Sequence, residues 1–195
     1  FPSDRGFFSA ARPMHGIDNI ALRAARRPGE IMVRQMNQLE ALKVVEKSRN
    51  EFVSQVDQAA EAAIIEIIKD HYPEHAILAE ESGAAGEHEY QWIIDPLDGT
   101  TNYLHGFPQF CVSIGVARKG ELEHGVVYDP LRQEIFSASR GQGAQLHGRR
   151  IRVSKRTQLK EALVSTGFPF RPGDNFNVYL RMMADVMKRT AGLRR

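Results

Sequence analysis

The sequence has little of what marks several specialised classes of protein. Its 195 residues include one cysteine, Cys111, which excludes an intrachain disulfide and fits a reducing compartment such as the cytoplasm. Cys111 lies in the apolar stretch FCVSIGV and is expected to be a small core residue. No window approaches the roughly 18 apolar residues of a membrane span, and residues 1–13 lack the apolar segment of a secretory signal. The net charge of +2 gives no reason to expect a general nucleic-acid binder.

Helical patterns dominate the first third of the chain. Apolar residues recur at helical spacing over residues 17–38, although Pro28 and Gly29 are expected to kink or interrupt that helix. A polar stretch, EKSRNE, is then expected to separate it from a second helix with the sequence FVSQVDQAAEAAIIEIIKDHYP. Pro73 follows the end of that helix, where a residue that cannot continue it is common.

Strand patterns follow the helices. AIL and WIID are typical of short buried strands. The segment FCVSIGVARKGELEHGVVYDP predicts two strands around a turn at Lys119 and Gly120, and EIFSASRGQGAQLHG predicts two shorter ones, a meander typical of an antiparallel sheet. Further on, EALVSTGFP predicts another strand and NFNVYLRMMADVMKRT another amphipathic helix. This order indicates an α+β fold with a second subdomain that opens near residue 152.

The same patterns divide the chain into three parts. We interpret residues 1–13 as an N-terminal extension outside the fold, because Met14 follows it and could be an original start. Residues 14–151 are expected to form a subdomain of a helix pair and an antiparallel sheet. Residues 152–195 are expected to be the start of a C-terminal α/β subdomain.

Two acids lie unusually close together in the segment WIIDPLDGTTNYLHGFP, residues 92–108. Asp95 is expected to end an apolar strand, and Pro96 to turn the chain so that Asp98 lies beside Asp95. Two such carboxylates repel each other unless a positive group lies between them. Hard oxygen ligands on a stiff turn suit Mg²⁺, so the segment predicts a magnesium site that would also bind a substrate phosphate.

The residues after Asp98 suit an anion. Gly99 lets the backbone approach a ligand closely, and the amides of Gly99, Thr100 and Thr101 would be free donors if they open a short helix. A simpler interpretation is that Asp-Pro and Asp-Gly only form turns, with Asp98 as a helix cap.

Upstream acids weaken that simpler interpretation. Glu80 and Glu81 directly follow the strand AIL, at the end of another buried segment, although a solvated loop would also account for AEESG. Asp57 lies on the second helix, where an acid is more often an ordinary exposed residue. Acids from separate segments could therefore converge on one site.

Together these motifs resemble a known family. LAEESG combined with WIIDPLDGTTNYLHGFPQFCVSIGV closely resembles the inositol monophosphatase family of Mg²⁺-dependent phosphatases, and in particular its bacterial inositol-1-monophosphatase branch. The segments KSRNEFVSQVDQAAE, VVYDPLRQEIFSASRGQGAQLHG and STGFPF extend the resemblance to residues 17–195. The resemblance implies a layered α/β/α/β/α sandwich of the sugar-phosphatase type, with the second subdomain incomplete.

The resemblance also implies a set of metal ligands. Glu80 and Asp95 would bind a first Mg²⁺ with the backbone carbonyl of Leu97. Asp95 would bridge to a second ion that Asp98 also holds, and Glu80 could contribute to a third, weaker site. Glu81 would support these ligands through water. Mn²⁺ is expected to substitute for Mg²⁺, and Li⁺ to inhibit.

Catalytic and phosphate-binding roles follow from the same resemblance. Thr100 and Asp57 would form a pair that orients and deprotonates the attacking water, so that no protein nucleophile is needed. The amides of Gly99 and Thr100 would hold the phosphate beside Asp98. Lys47 matches a lysine in a flexible loop that steadies the metal and water cluster. Inositol 1-phosphate is the expected substrate, and relatives that act on fructose 1,6-bisphosphate, histidinol phosphate or nucleotide-derived phosphates leave other substrates open.

The sequence departs from the family pattern at its end. The family continues into a sugar-binding segment of the Gly-Thr/Ser-Ala-Ala type and a Trp-Asp motif that gives another aspartate to the second metal. The only tryptophan here is Trp92, and the sequence stops at Arg195. We therefore expect a truncated chain that binds metal at the first site but turns over weakly or not at all.

Two other functions remain open. A haloacid dehalogenase type of phosphatase also has an Asp-Gly-Thr motif, but its two acids are two residues apart rather than three. The bacterial branch also implies a regulatory role in antitermination of ribosomal RNA transcription, through RNA polymerase or Nus factors. The basic segment HGRRIRVSKR could make such contacts, although solvated surface also explains it. Homodimerisation is expected by the same resemblance.

Overall fold

The structure is a computed structural model that describes residues 16–41, 46–169 and 173–194. The side chains of residues 37–41 and 46–54 lie outside this description, as does the expected extension at residues 1–13. The chain divides into two compact units, Phe1–Ile151 and Arg152–Arg195. Each unit is described by itself below.

Two long helices open the first unit: α1 (Gly16–Ala41) and α2 (Glu46–His71). The expected interruption at Pro28 is wrong, since α1 runs through it. Pro28 is fully buried, and Gly29 lies so close to the Tyr128 ring that an added Cβ would be 2.5 Å from it. Packing thus offsets the missing hydrogen bond at Pro28.

The expectation that the polar stretch EKSRNE separates the two helices is also wrong, because these residues form the first turns of α2. Lysine, arginine and glutamate are good helix formers, so a polar run without apolar periodicity can still continue a helix. Lys47, expected in a loop, therefore has its backbone in α2.

An eight-stranded sheet follows, with one short helix between its strands. The elements are β1 (Ala76–Ala79), β2 (Gly83–Ala85), β3 (Tyr90–Asp98), α3 (Thr100–Leu104), β4 (Cys111–Arg118), β5 (Glu121–Asp129), β6 (Glu134–Ser139), β7 (Gly143–Leu146) and β8 (Arg149–Arg150). Their spatial order is β2-β1-β3-β4-β5-β6-β7-β8. The predicted meander from β4 to β7 is confirmed. Lys119 and Gly120 both have positive φ, as a tight hairpin turn between twisted strands requires.

One pairing is parallel rather than antiparallel. β1 and β3 run side by side in the same direction, with Ala79 opposite Ile94. Parallel neighbours end at the same edge of a sheet, so the residues after β1 lie beside the last residues of β3. This pairing brings the acids of both segments to one edge.

The core of this unit lies where α1 and α2 pack on the sheet. α1 contacts α2, β4 and β5, and α2 contacts β3 and α3. Most of the apolar stripe of each helix is buried there against side chains of the sheet and of α3. The buried residues of this core include Ala24, Met32, Ile64, Ile68, Trp92, Leu97, Tyr103, Ile114 and Val116. The core therefore supports α2, β3 and α3, the elements that carry most of the candidate site.

The second unit is small. It contains a 3₁₀ turn (Leu159–Glu161), β9 (Leu163–Ser165), α4 (Phe176–Arg189) and β10 (Gly192–Arg194), with β9 and β10 parallel. The predicted strand and helix of this region are confirmed. The Asn175 side chain caps α4 by accepting a hydrogen bond from the Val178 amide at 3.1 Å.

The α+β class predicted from the order of elements is confirmed. Among the described residues, no helix has the length and apolar character needed to cross a bilayer.

Candidate metal and phosphate site

An irregularity near the end of β3 forms the centre of the site. β3 pairs with β4 as far as Asp95, and the register then shifts before Asp98 pairs with Cys111. The strand therefore does not end at Asp95, as the sequence suggested, but continues to Asp98. Buried Pro96 lies at the shift, where its missing amide hydrogen breaks no regular ladder bond. The Leu97 amide instead donates to Asp95 Oδ1 at 3.2 Å.

The backbone bends sharply after β3. Gly99 has φ +102°, and an added Cβ would lie 3.0 Å from the Gln109 carbonyl oxygen, so only glycine fits without strain. Thr100 begins α3, in agreement with the expected short helix. The first amides of a helix have no acceptor within the helix itself, which leaves them for other partners. At Gly99 the close approach is that of the chain's own backbone, at Gln109 and Phe110.

Glu80 lies beside this irregularity. Its amide donates to the Ile94 carbonyl at 3.1 Å, which continues the parallel pairing beyond β1. Its side chain also shares a hydrogen bond with Asp95, and this bond raises the pKa of Asp95. The acids of AEESG and WIIDPLD thus meet.

Asp57 approaches from the helix layer. Its side chain is only 5% exposed on α2, so the ordinary exposed helix acid is the wrong description. Burial, together with the charges of Glu81, Glu80 and Asp95, raises the pKa of Asp57 to about 7. A buried carboxyl surrounded by other acids is unstable in its charged form.

The charged form of Asp95 is also unfavourable. Burial, the charge of Glu80 and the charge of Asp98 together raise the pKa of Asp95 to about 7, although the Leu97 amide acts in the opposite direction. The pKa of Glu81 is also raised, by burial and then by Glu80 and Glu61. A cation bound between them would stabilise the charged forms of Asp57 and Asp95.

The donor set fits a hard divalent cation. It consists of carboxylate oxygens and one backbone carbonyl, the ligand types that Mg²⁺ prefers. Over the described part of the chain, no three acidic, histidine or cysteine side chains already stand in a metal-holding arrangement. Glu80 and Asp98 are exposed, however, so rotation of their side chains can bring oxygen atoms toward the half-buried Asp95.

Two expected interactions stay untested. The Thr100 hydroxyl donates to the Leu97 carbonyl at 3.0 Å and not to Asp57, so their pairing stays a prediction. The Leu97 oxygen retains a second lone pair for a cation. The side chain of Lys47 lies outside the described residues.

Two residues near the site were missed or misjudged from the sequence. Glu61 is 3% exposed, and its two carboxylate oxygens accept the amides of Glu81 and Ser82, each at 2.9 Å. Its position four residues after Asp57, on the same helix face, was the available signal. Cys111 is only partly buried, and its thiol lies 3.7 Å from Asp98 Oδ2. Burial and the Asp98 charge raise the pKa of this thiol to about 12.

Comparison with known proteins identifies the family. The sequence matches the inositol monophosphatase family over residues 14–194. It is 52% identical over 183 residues to the Nus factor SuhB of Pseudomonas aeruginosa, covering 91% of this chain and 68% of that protein. It is 45% identical over 184 residues to the Nus factor SuhB of Escherichia coli K12, covering 93% of this chain and 69% of that protein.

Solved structures agree with these matches. The SuhB protein of Bartonella henselae has a TM-score of 0.78 at 36% identity, covering 92% of this chain and 68% of that one. An inositol monophosphatase from Anabaena has a TM-score of 0.75 at 38% identity, covering 92% of this chain and 66% of that one. The expected sugar-phosphatase type of α+β fold and the resemblance to the bacterial branch are both confirmed, and the chain belongs to the inositol monophosphatase family.

Proposed function

We propose that this chain carries the metal and phosphate machinery of a Mg²⁺-dependent phosphate monoester hydrolase that converts inositol 1-phosphate to inositol and phosphate. Family membership supports a phosphatase. The observation that carries the proposal is that acids from α2, the β1–β2 loop and β3 lie close together, so that after burial the charges of Glu80 and Asp95 help to raise the pKa of Asp57. Phosphate monoesters hydrolyse extremely slowly in water, so a site that concentrates positive charge on the phosphoryl group is what the reaction requires.

Glu80, Asp95, Asp98 and the Leu97 carbonyl would hold two or three Mg²⁺ ions, with Glu81 in support. When bound, the ions neutralise phosphate charge and acidify water. Mn²⁺ would substitute for Mg²⁺, and Li⁺ would inhibit.

The remaining residues position the substrate and move a proton. The amides of Gly99 and Thr100 would bind the phosphoryl oxygens, because α3 begins at that point. Asp57 would accept the proton of the attacking water, oriented by the Thr100 hydroxyl. Lys47 would add positive charge from the first turn of α2. A cytoplasmic location and a homodimer belong to the same proposal.

A ligand deletion tests the metal site. In the Asp95→Asn variant, Mn²⁺ affinity should fall at least about 100-fold, since even outer partners of a metal ligand are worth 10- to 100-fold. Asp70→Asn is the matched control, because Asp70 is an exposed acid on α2. Titration followed by electron paramagnetic resonance measures both affinities. Equal affinity in the Asp95→Asn variant and the unsubstituted chain would overturn the proposed site.

Substrate choice needs a separate assay. Mg²⁺-dependent phosphate release from inositol 1-phosphate should exceed that from fructose 1,6-bisphosphate and histidinol phosphate, as measured by kcat/KM on the full-length gene product. A higher value for either of the other two would transfer the proposal to that sugar or alcohol phosphate.

Regulation of transcription is a second candidate, favoured by the relatives of 45% and 52% identity that are named Nus factors. In that role the protein would contact RNA polymerase or Nus factors in antitermination of ribosomal RNA transcription. The Asp98→Asn variant separates the two roles. Complementation of a gene deletion by this variant would support the binding role, and loss of complementation by a folded variant would support catalysis.

A further inference from the structure

Glu61 is the most deeply buried charged side chain near the site, although no metal or catalytic role was expected for it. It is 3% exposed and lies one helical turn after Asp57 on α2. Burying a carboxylate beside other acids is unfavourable unless it gains strong hydrogen bonds. Its contacts therefore indicate what it does.

Both Glu61 oxygens bind the loop between β1 and β2. Oε2 accepts the Glu81 amide and Oε1 accepts the Ser82 amide, both at 2.9 Å. On the other side of this loop, the Glu80 amide donates to Ile94 of β3 at 3.1 Å. Three consecutive amides, at residues 80, 81 and 82, are thus fixed between α2 and β3.

Accepting two backbone amides, one on each oxygen, requires a carboxylate. A glutamine at this position would have nearly the same shape, but only one of its two terminal atoms accepts a hydrogen bond. Its amide group would face one of the two backbone donors, which would then be left without an acceptor. An aspartate would keep the charge, but its shorter side chain would not reach both amides.

We propose that Glu61 is a positioning residue, which holds the backbone of the 80–82 loop so that Glu80 meets Asp95 and thereby sets the affinity of the site for a divalent cation. This inference rests on the proposed metal site. Because Glu61 binds backbone amides and not the ligand atoms themselves, its effect passes through the loop. Outer partners that orient metal ligands typically contribute 10- to 100-fold in affinity.

Two variants separate the position of the loop from the charge of Glu61. Glu61→Gln removes the charge and one acceptor, whereas Glu61→Asp keeps the charge and loses reach. Both should speed hydrogen exchange of the Glu81 and Ser82 amides about 10-fold, the effect of a lost buried hydrogen bond. Both should also weaken Mn²⁺ binding about 10-fold or more. Glu66→Gln and Glu66→Asp are the matched controls, since Glu66 is exposed on the same helix, and neither should change exchange or affinity.

The outcomes distinguish the inference from the function on which it rests. Faster exchange with weaker Mn²⁺ binding in both Glu61 variants supports the proposal, provided that Trp92 fluorescence shows a folded protein. Faster exchange with unchanged affinity, or weaker binding in Glu61→Gln alone, overturns it in favour of a purely structural or purely electrostatic effect. Absence of Mn²⁺ binding by the unsubstituted chain would overturn the proposed function itself, whatever the exchange rates.

Discussion

Both units contain helices and strands, but they differ in how far their apolar side chains are buried. In the first unit, α1 and α2 cover a sheet and enclose a core in which Ala24, Met32, Ile64 and Trp92 have no solvent exposure. In the second unit, no described residue is buried, and the α4 side chains Phe176 and Met182 are 52% and 63% exposed. Amphipathic periodicity thus specifies a helix, whereas burial requires surfaces that face it from other elements.

The candidate site lies in the unit that has the core, and this has a physical reason. Desolvation is the largest cause of the raised carboxyl pKa values, and a packed scaffold provides it. Asp57 and Asp95 have pKa values near 7 because α2 and β3 are held against each other. By contrast, Asp185 on α4 is 58% exposed and pairs with Arg189 in solvent.

The largest expected difference between the two units is in the loss of unfolding free energy when a methionine in each is replaced by alanine. Met32→Ala should lower the free energy of unfolding by about 2–5 kcal/mol, because Met32 is 0% exposed and its loss leaves a cavity. Met182→Ala, at a position that is 63% exposed, should change it by less than about 0.5 kcal/mol. Calorimetric unfolding of the whole chain measures both. Equal effects would show that α4 is buried against something in solution.

Two glycines sharpen the comparison further. Gly99 and Gly173 both have left-handed backbone, with φ +102° and +94°, but an added Cβ meets backbone only at Gly99. Both alanine substitutions should cost about 1–2 kcal/mol from backbone strain. Gly99→Ala should cost about 1–3 kcal/mol more, because the Gln109 carbonyl must shift. Denaturant unfolding measures the free energy of unfolding of both variants. Equal losses would mean that the backbone at Gln109 can shift away from the added Cβ at little cost.

The smallest expected effect is a pH dependence confined to the first unit. Trp92 Nε1 donates to His75 Nδ1 at 3.0 Å, so His75 must be neutral. Burial lowers the pKa of His75, and the charges of His88 and Lys69 lower it further, although Glu89 acts in the opposite direction. Below pH 6.5, the ordinary pKa of histidine, His75 therefore binds a proton more readily in the unfolded chain than in the folded one. The stability that neutral His75 contributes to the folded state is lost as the pH falls through this range.

Asparagine tests this titration, because its amide oxygen can still accept a hydrogen bond. As pH falls from 7.5 to 5.5, the unfolding free energy of His75→Asn should rise relative to that of the unsubstituted chain, followed by fluorescence of Trp92, the sole tryptophan. His147→Asn is the control, since His147 is exposed and its φ of +51° suits asparagine. Equal pH slopes for the two variants would exclude His75 as the titrating group.

Most elements of the fold could be predicted from local pattern. Strand alternation and the Lys119-Gly120 turn predicted β4 and β5, since both signals act over a few residues. The errors at Pro28 and at EKSRNE concern helix continuity, where packing and side-chain propensity outweigh a local break signal. The parallel pairing of β1 and β3 was not predicted, because pairing is a property of two distant segments.

For the site, the sequence identified the acids but not their surroundings. Glu80, Asp95 and Asp98 were identified from their motifs, and the structure places Glu80 and Asp98 beside Asp95. Glu61 was missed because nothing in the neighbouring sequence distinguishes a buried glutamate on a helix from an exposed one. The pairing of Thr100 with Asp57 and the role of Lys47 stay predictions.

By itself, the sequence determined the order of elements, the short helix that follows Gly99 and the acidic motifs of the family, since each depends on neighbouring residues. Only the tertiary structure decided that Asp57 is buried, that Glu61 binds the 80–82 loop and that Glu80 meets Asp95. These properties depend on the packing of α2 against β3 and on the parallel pairing of β3 with β1. Desolvation and charge repulsion act through space, between residues that the sequence keeps far apart.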